Sequence, residues 1–297
     1  MDLSASKAHF IRLRRGATKV LFIDLKRRTC SIELHPDLIK YIGGVGLGLK
    51  LFSLYSELDP LIFSVGPLNG YFPFISKTSI VLNKDGLIED IYLGGSLSFR
   101  IKFAGLDAIV ISGVSKGPVY LDICDENVRF ISPDKADIGT FGLPGKRSVL
   151  EFTRDKLLLD NFFTTPEAFL DSTFKGKNIK GIVFTGSRTF EIEEKGKYES
   201  LYKNILSRAK DLTVEKSNFP SCSGCPMGCQ HSKMGETGGN ILIHSLVSCC
   251  YAEKIYSDIG VVFSCVDVLG YDYTHEDLEN LPHLVQNVLS ELGQPSI

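Results

Sequence analysis

The stretch YLGGSLSFRIKFAGLDAIVISG, residues 92–113, decides how the rest of the sequence is read. Gly94 and Gly95 punctuate a turn, a short helical run follows, and DAIVISG then gives an unbroken β-branched segment. Such a run is what a strand buried on both faces requires. The successive amides at Gly94 and Gly95, just before a helix, are placed to hold an anionic group such as a phosphate. A plain turn accounts for the same two residues equally well.

Working outward, KVLFIDL and CSIEL read as two strands around a basic turn. PLIFSVG and TSIVLN are short strand-like runs bounded by Gly, Pro and Asn. PVYLDICDENVRFI alternates on either side of a polar turn and predicts a hairpin, and IKGIVFTG predicts one more inner strand. Near residue 195 the period changes. Tyr198, Leu201, Tyr202, Ile205, Ala209 and Leu212 recur at helical spacing. Apolar stretches at about 240–256 and 258–269 predict two buried helices. The expected class is α+β, with a β-rich domain over residues 1–205 followed by a partial helical domain over 206–297.

YIGGVGLGLKLF, residues 41–52, is rich in glycine without being a dinucleotide fingerprint. Its spacing is not G-x-G-x-x-G, and HPDLIKYI before it reads as a helical turn rather than a strand. Two readings stand: a tight helix–turn–helix using glycine's freedom at φ > 0, or close approach of backbone to a ligand.

The chain has 297 residues, 43% of them apolar, with 33 basic residues against 35 acidic ones. That balance offers no electrostatic case for nucleic acid or a charged membrane as partner. The basic start, Arg12, Arg14, Arg15 and Lys19, reads as a solvated arm or the flank of a first strand. No apolar run reaches the ~18–20 residues of a membrane-spanning helix, and the N-terminus lacks the core of a signal peptide. A cytoplasmic location is the expectation.

Eight cysteines are too few for a secreted disulfide framework, so clustered thiols point to metal or redox work. Cys30, Cys124, Cys249, Cys250 and Cys265 sit in apolar stretches and read as small buried hydrophobes. Cys222, Cys225 and Cys229 are different, lying within eight positions in PSCSGCPMGCQH (220–231). One loop so built can wrap three corners of a 4Fe–4S cluster, whose iron and sulfide favour soft thiolates. Gly224 and Gly228 free the backbone to fold around it. The alternatives are zinc on the same cysteines with His231, or three unligated thiols exposed to oxidation.

At this point the sequence resembles the tungsten-containing aldehyde:ferredoxin oxidoreductases. YIGGVGLGLKLF, GPLNG, GGSLSFRIKFAGLDAIVISG followed by PVYL, CSGCPMGC, GET and DVLGYD occur in that family's order, from Lys19 to Asp272. The resemblance implies a β-rich pterin-binding base followed by helical domains. It implies oxidation of an aldehyde to a carboxylate at tungsten held by pterin dithiolenes (a tungstopterin or molybdopterin), with electrons leaving through a 4Fe–4S cluster to ferredoxin or another redox protein. By that resemblance Gly94 and Gly95 touch a pterin, Cys222, Cys225 and Cys229 bind the cluster, and Asp267, Tyr271 and Asp272 line the second pterin. Asp267 has some support of its own. It falls in the last turn of a predicted helix closed by Gly270, where a carboxylate opposes the helix dipole unless a lysine or a ligand N–H answers it.

The departures from the pattern are equally specific. Family members are about twice this length, and their fourth cluster cysteine lies in the half without a counterpart here. FLDSTFKGKN replaces an arginine- and glycine-rich stretch, and Thr78 stands where a pterin-contacting arginine is expected, with Lys77 the nearby cation. After GET the family places a glutamate for acid–base work; here Ile243 stands there, followed by His244. Glu236 and His244 are therefore the candidate proton-handling residues. The expectation is a shortened and divergent member, either an iron–sulfur redox protein oxidising an aldehyde, or a non-catalytic electron-transfer or assembly subunit. In the second case a partner subunit or a homodimer completes the site.

Overall fold

The computed structural model describes residues 10–11, 16–215, 217–235 and 239–294. A two-residue strand β1 (Phe10–Ile11) is followed by β2 (Thr18–Asp24) and β3 (Thr29–His35), then a 3-10 turn (Pro36–Tyr41) and helix α1 (Gly44–Tyr55). Next come β4 (Leu61–Ser64), β5 (Thr78–Lys84), β6 (Leu87–Leu93), the short helix α2 (Leu97–Phe103) and β7 (Ala108–Ser112). These strands form one mixed sheet in the order β3-β2-β7-β4-β5-β6.

A second sheet follows, from β8 (Val119–Cys124), β9 (Asn127–Ile131), β10 (Arg147–Thr153), β11 (Lys156–Leu159), α3 (Phe169–Gly176) and β12 (Ile179–Thr185). Its strand order is β11-β10-β12-β8-β9, and β13 (Thr189–Phe190) returns to pair with β1. The expected hairpins β2–β3 and β8–β9 are both present and antiparallel. The inner strand β12 is flanked by β8 and β10.

The inner strands β2, β7, β4 and β5 of the first sheet are buried on both sides, and the period of two along them assigns each side chain to a layer. Leu21, Ile23, Phe63, Ile80, Leu82, Ile109 and Ile111 face the second sheet, where they meet Leu121, Ile182 and Phe184. Their neighbours Val20, Ile62, Val81, Ala108 and Val110 face a helical layer instead. This explains why DAIVISG is apolar without alternation: both of its faces are core.

The helical layer comprises α1, α4 (Lys195–Ser207), α5 (Gln230–Met234), α6 (Ile241–Leu246), α7 (Glu253–Tyr256), α8 (Ile259–Val268) and α9 (His275–Glu291). Residue 205 falls inside α4, and the core on this side draws on strands β2, β4, β5 and β7 as well as helices. The glycines of α1 are explained by packing. A Cβ at Gly44, where φ is +46°, would overlap the carbonyl oxygen of His244, and one at Gly48 would come 2.7 Å from the Val81 side chain. They let α1 lie close on α6 and β5.

Two differences from the sequence reading stand out. The apolar stretch at 240–256 is not one helix. It breaks at Val247 (φ +55°), because Val247 to Cys249 pair with the segment before β5: Lys77 N–H donates to the Val247 carbonyl (3.1 Å) and Cys249 N–H to the Phe74 carbonyl (3.4 Å). Buried backbone has to be paired, and here tertiary pairing displaces helix continuation. The second difference is α9, a 17-residue helix with a complete capping box at Thr274 and Asp277, which the sequence reading left unassigned.

Candidate functional site: a thiol pocket on the edge of the base

The loop carrying Cys222, Cys225 and Cys229 is pinned to the sheet-rich base at several points. Ser223 N–H donates to the Gly95 carbonyl (2.9 Å), and Phe74 N–H donates to the Gly224 carbonyl (3.2 Å). Cys225 N–H turns back onto the Cys222 carbonyl (3.1 Å), and Met227 N–H lies 3.4 Å from the Cys225 sulfur. Gly224 takes φ +73° and leaves no room for a side chain, since a Cβ there would stand 2.7 Å from the Phe99 ring. Cys222 and Cys229 are each 5% exposed.

Gly94 and Gly95 are what allow this seating. A Cβ on Gly94 would overlap the Ser232 carbonyl oxygen and stand 3.0 Å from the Cys222 sulfur and 3.3 Å from Lys77 Nζ. The space beside these two glycines is filled by the thiol loop and by Phe163.

Lys77 is the residue whose position sequence reasoning missed. Its ammonium is buried, donating to the His231 carbonyl (2.6 Å) and lying 3.8 Å from the Cys222 sulfur. A buried cation beside thiols favours their ionised, metal-binding form. In the protein without metal, burial nevertheless pushes the Cys225 thiol up to about 12. Burial also raises Cys229, which Lys77 partly offsets. Cys249 is raised by its hydrogen bond with Cys250 and then by burial. A group of soft donors kept out of water, with a cation at its edge, fits an iron–sulfur cluster in its ligand chemistry. Among the described residues, no three His, Cys, Asp or Glu side chains are arranged to hold a single metal ion. His231, the proposed zinc partner, has Nδ1 3.7 Å from the Cys250 sulfur.

The pterin candidates fall in two places. Gly94 and Gly95 precede α2, against the thiol loop. Tyr271 is at the other end of that helix, where its hydroxyl lies 3.2 Å from Lys102 Nζ; seven residues of helix separate the two ends by about 10 Å. Tyr271 and Asp272 line a cavity of about 320 Å³ together with Lys19, Lys102, Asp107 and Arg188. Lys102 is buried and paired with Asp107 at 3.0 Å. Burial works against its charge, but Tyr271 and Asp107 outweigh that and raise its pKa. Asp267 is exposed on α8 beside an adjoining recess, with Lys197 of α4 close enough to answer its charge. The thiol loop packs on the Gly94 side, and the residues expected at the second pterin lie at the other end of α2.

Glu236 lies outside the described residues. His244, on α6, is held by Tyr92, whose hydroxyl is 2.6 Å from Nδ1. Tyr92 also bonds to Asp90, whose carboxylate is 3.8 Å from the imidazole. Tyr92 lies in β6, two residues before Gly94.

A two-sheet base whose edge carries the thiol loop, with a helical layer packed on it, gives the chain an α+β architecture. The family model described as the aldehyde ferredoxin oxidoreductase N-terminal domain matches residues 20–141, less than half of the chain. The tungsten-containing aldehyde ferredoxin oxidoreductase of Pyrococcus abyssi is 27% identical over 239 residues, covering 68% of this chain and 38% of that protein. The WOR-like subunit of an aliphatic sulfonate oxidoreductase from Pyrococcus furiosus is 36% identical over 127 residues, 37% of this chain and 20% of the relative. The chain thus spans well under half the length of the curated relatives it matches. Among solved structures, the active site complex BamBC of benzoyl coenzyme A reductase shares the fold. Its TM-score is 0.55 at 18% identity, covering 70% of this chain and 37% of that one. No helix among the described residues is long and apolar enough to cross a membrane.

Proposed function

We propose that this protein is an iron–sulfur redox protein that holds a 4Fe–4S cluster on Cys222, Cys225 and Cys229 and passes electrons to ferredoxin or another redox protein. One observation carries this reading: the three thiols share one loop clamped onto the base, with Cys222 and Cys229 buried and the ammonium of Lys77 against Cys222. When bound, the cluster supplies reversible one-electron storage. The chain's own residues provide the rest. Three thiolates grip, Lys77 offsets their negative charge, and Phe99 and the Gly94–Gly95 turn close the loop against water.

The test is metal analysis of protein purified without oxygen. Brown protein with about four irons and about four sulfides per chain is expected, and colourless, iron-free protein refutes the reading.

A second reading, oxidation of an aldehyde to a carboxylate, is supported by the Asp90–Tyr92–His244 arrangement, a hydrogen-bonded imidazole next in sequence to Ile243, which stands where the resemblance expects a glutamate. Under this reading a tungsten- or molybdenum-bearing pterin binds on the Tyr271–Asp272 side. Its requirement is tungsten or molybdenum in the purified protein together with aldehyde-dependent dye reduction.

A further inference from the structure

The cluster reading leaves one corner of the cube without a donor, and the broken helix at Val247 places a thiol to fill it. We propose that Cys249, from the helical layer, is the fourth thiolate ligand, so that the centre is completed within this chain. The inference rests on the cluster reading above and adds the ligand to it.

Phe74 supplies the geometry. Its N–H donates to the carbonyl of Gly224, in the middle of the Cys222–Cys225 turn, and its carbonyl accepts from Cys249 N–H. One residue of the base therefore joins the two thiol-bearing segments directly. The antiparallel bridge of Ile75 with Ser248 fixes the register of that junction, and Lys77 N–H bonded to the Val247 carbonyl extends it. On the far side, the Cys250 sulfur lies 3.7 Å from His231 Nδ1 and the Tyr251 ring meets the His231 ring edge-on at 4.9 Å. Residues 248–251 thus wrap the same loop from its middle to its end.

Two further cysteines belong to the helical layer. Cys250 is hydrogen-bonded to Cys249, with its sulfur against His231 at the far end of the loop. Cys265, fully buried in α8, belongs to the apolar core between the sheet and the helices, and its electrostatic neighbours are Tyr198 and Tyr256. A cube held by the 222–229 loop alone would carry three thiolates, and three-thiolate sites lose the unheld iron readily. With Cys249 in place, all four irons have a soft protein donor.

The experiment compares wild type with Cys249→Ala, Cys250→Ala and Cys265→Ala. Each full chain is reconstituted anaerobically with ferrous iron and sulfide, and iron content and the electron paramagnetic resonance spectrum are read. Wild type, Cys250→Ala and Cys265→Ala are expected to hold about four irons, and Cys249→Ala about three, with a three-iron signal in the oxidised state. A four-iron, wild-type spectrum from Cys249→Ala overturns the assignment and leaves the cluster reading standing. A three-iron signal from Cys250→Ala in its place also overturns it. Iron-free wild type overturns both. Should Cys249→Ala not fold, Cys249→Ser decides. With a wild-type melting temperature it is expected to show the three-iron signal or a spectrum shifted by oxygen ligation, and an unshifted spectrum overturns the proposal.

Discussion

Replacing Gly94 by alanine tests whether the end of β6 is pressed against the thiol loop. The added methyl would overlap the Ser232 carbonyl oxygen and stand 3.0 Å from the Cys222 sulfur and 3.3 Å from Lys77 Nζ. A flexible side chain could swing away, but the worst obstruction is backbone of α5, which follows directly on the loop bonded to the base at Gly95 and Phe74. Overfilling a packed site costs about 1–3 kcal/mol, and rigid surroundings put Gly94→Ala near the upper end, about 3 kcal/mol. At roughly 2 °C per kcal/mol for a chain of this size, the melting temperature falls by about 6 °C. Gly117→Ala is the control, since a Cβ there meets no atom within 4 Å, and its effect stays within about 0.5 kcal/mol. Thermal melts followed by circular dichroism, with iron determined after reconstitution, give both readouts. If Gly94→Ala melts with the control and takes up as much iron as wild type, the seating of the loop on Gly94 is wrong.

Two further predictions concern stability away from the thiols. Thr274 Oγ1 accepts from Asp277 N–H (3.1 Å) while the Asp277 carboxylate accepts from Thr274 N–H (2.7 Å), so Thr274→Ala should cost about 1 kcal/mol in urea unfolding. For Glu126, burial pushes the carboxyl up, but hydrogen bonds from Lys19 and Arg188 outweigh that and hold it below 4.5. Because the folded state lowers this pKa, the stabilisation is complete above the unfolded value near 4.5 and is lost as pH falls through the lower folded value. Glu126→Gln should therefore flatten the acid limb below about pH 4.5, read as urea midpoints against pH, and an acid limb identical to wild type would refute the pairing.

The strands were the legible part of this fold. DAIVISG, KVLFIDL and the 119–131 hairpin announce themselves through β-branched content and turn residues, and their places in the sheets follow from the two faces they bury. That Cys222, Cys225 and Cys229 share one loop was legible, because spacing within a loop is local information. The position of Lys77 was not. TSIVLN shows a strand with a cation before it, but only the folded sheet brings that cation to Cys222, 145 residues away. The break at Val247 was hidden for a related reason. NILIHSLVSCCYAEKIY carries no glycine or proline to stop a helix, and what stops it is pairing with residues 74–77, far away in sequence. α9 is the opposite case, since Leu278, Leu281, Val285, Val288 and Leu289 lie on one helical face and Thr274 with Asp277 marks the start.

The thiol pocket is assembled from four separated stretches, around residues 74–77, 93–95, 222–232 and 247–250. Loops of well over a hundred residues must close before those stretches meet, and such closures come late in folding. The base sheet therefore has to exist before these stretches meet, and residue 250 must have left the ribosome before the cluster proposed above could be enclosed. Until then the same cysteines stand in open solution as reactive thiols, which ties the yield of loaded protein to how reducing its surroundings are during synthesis.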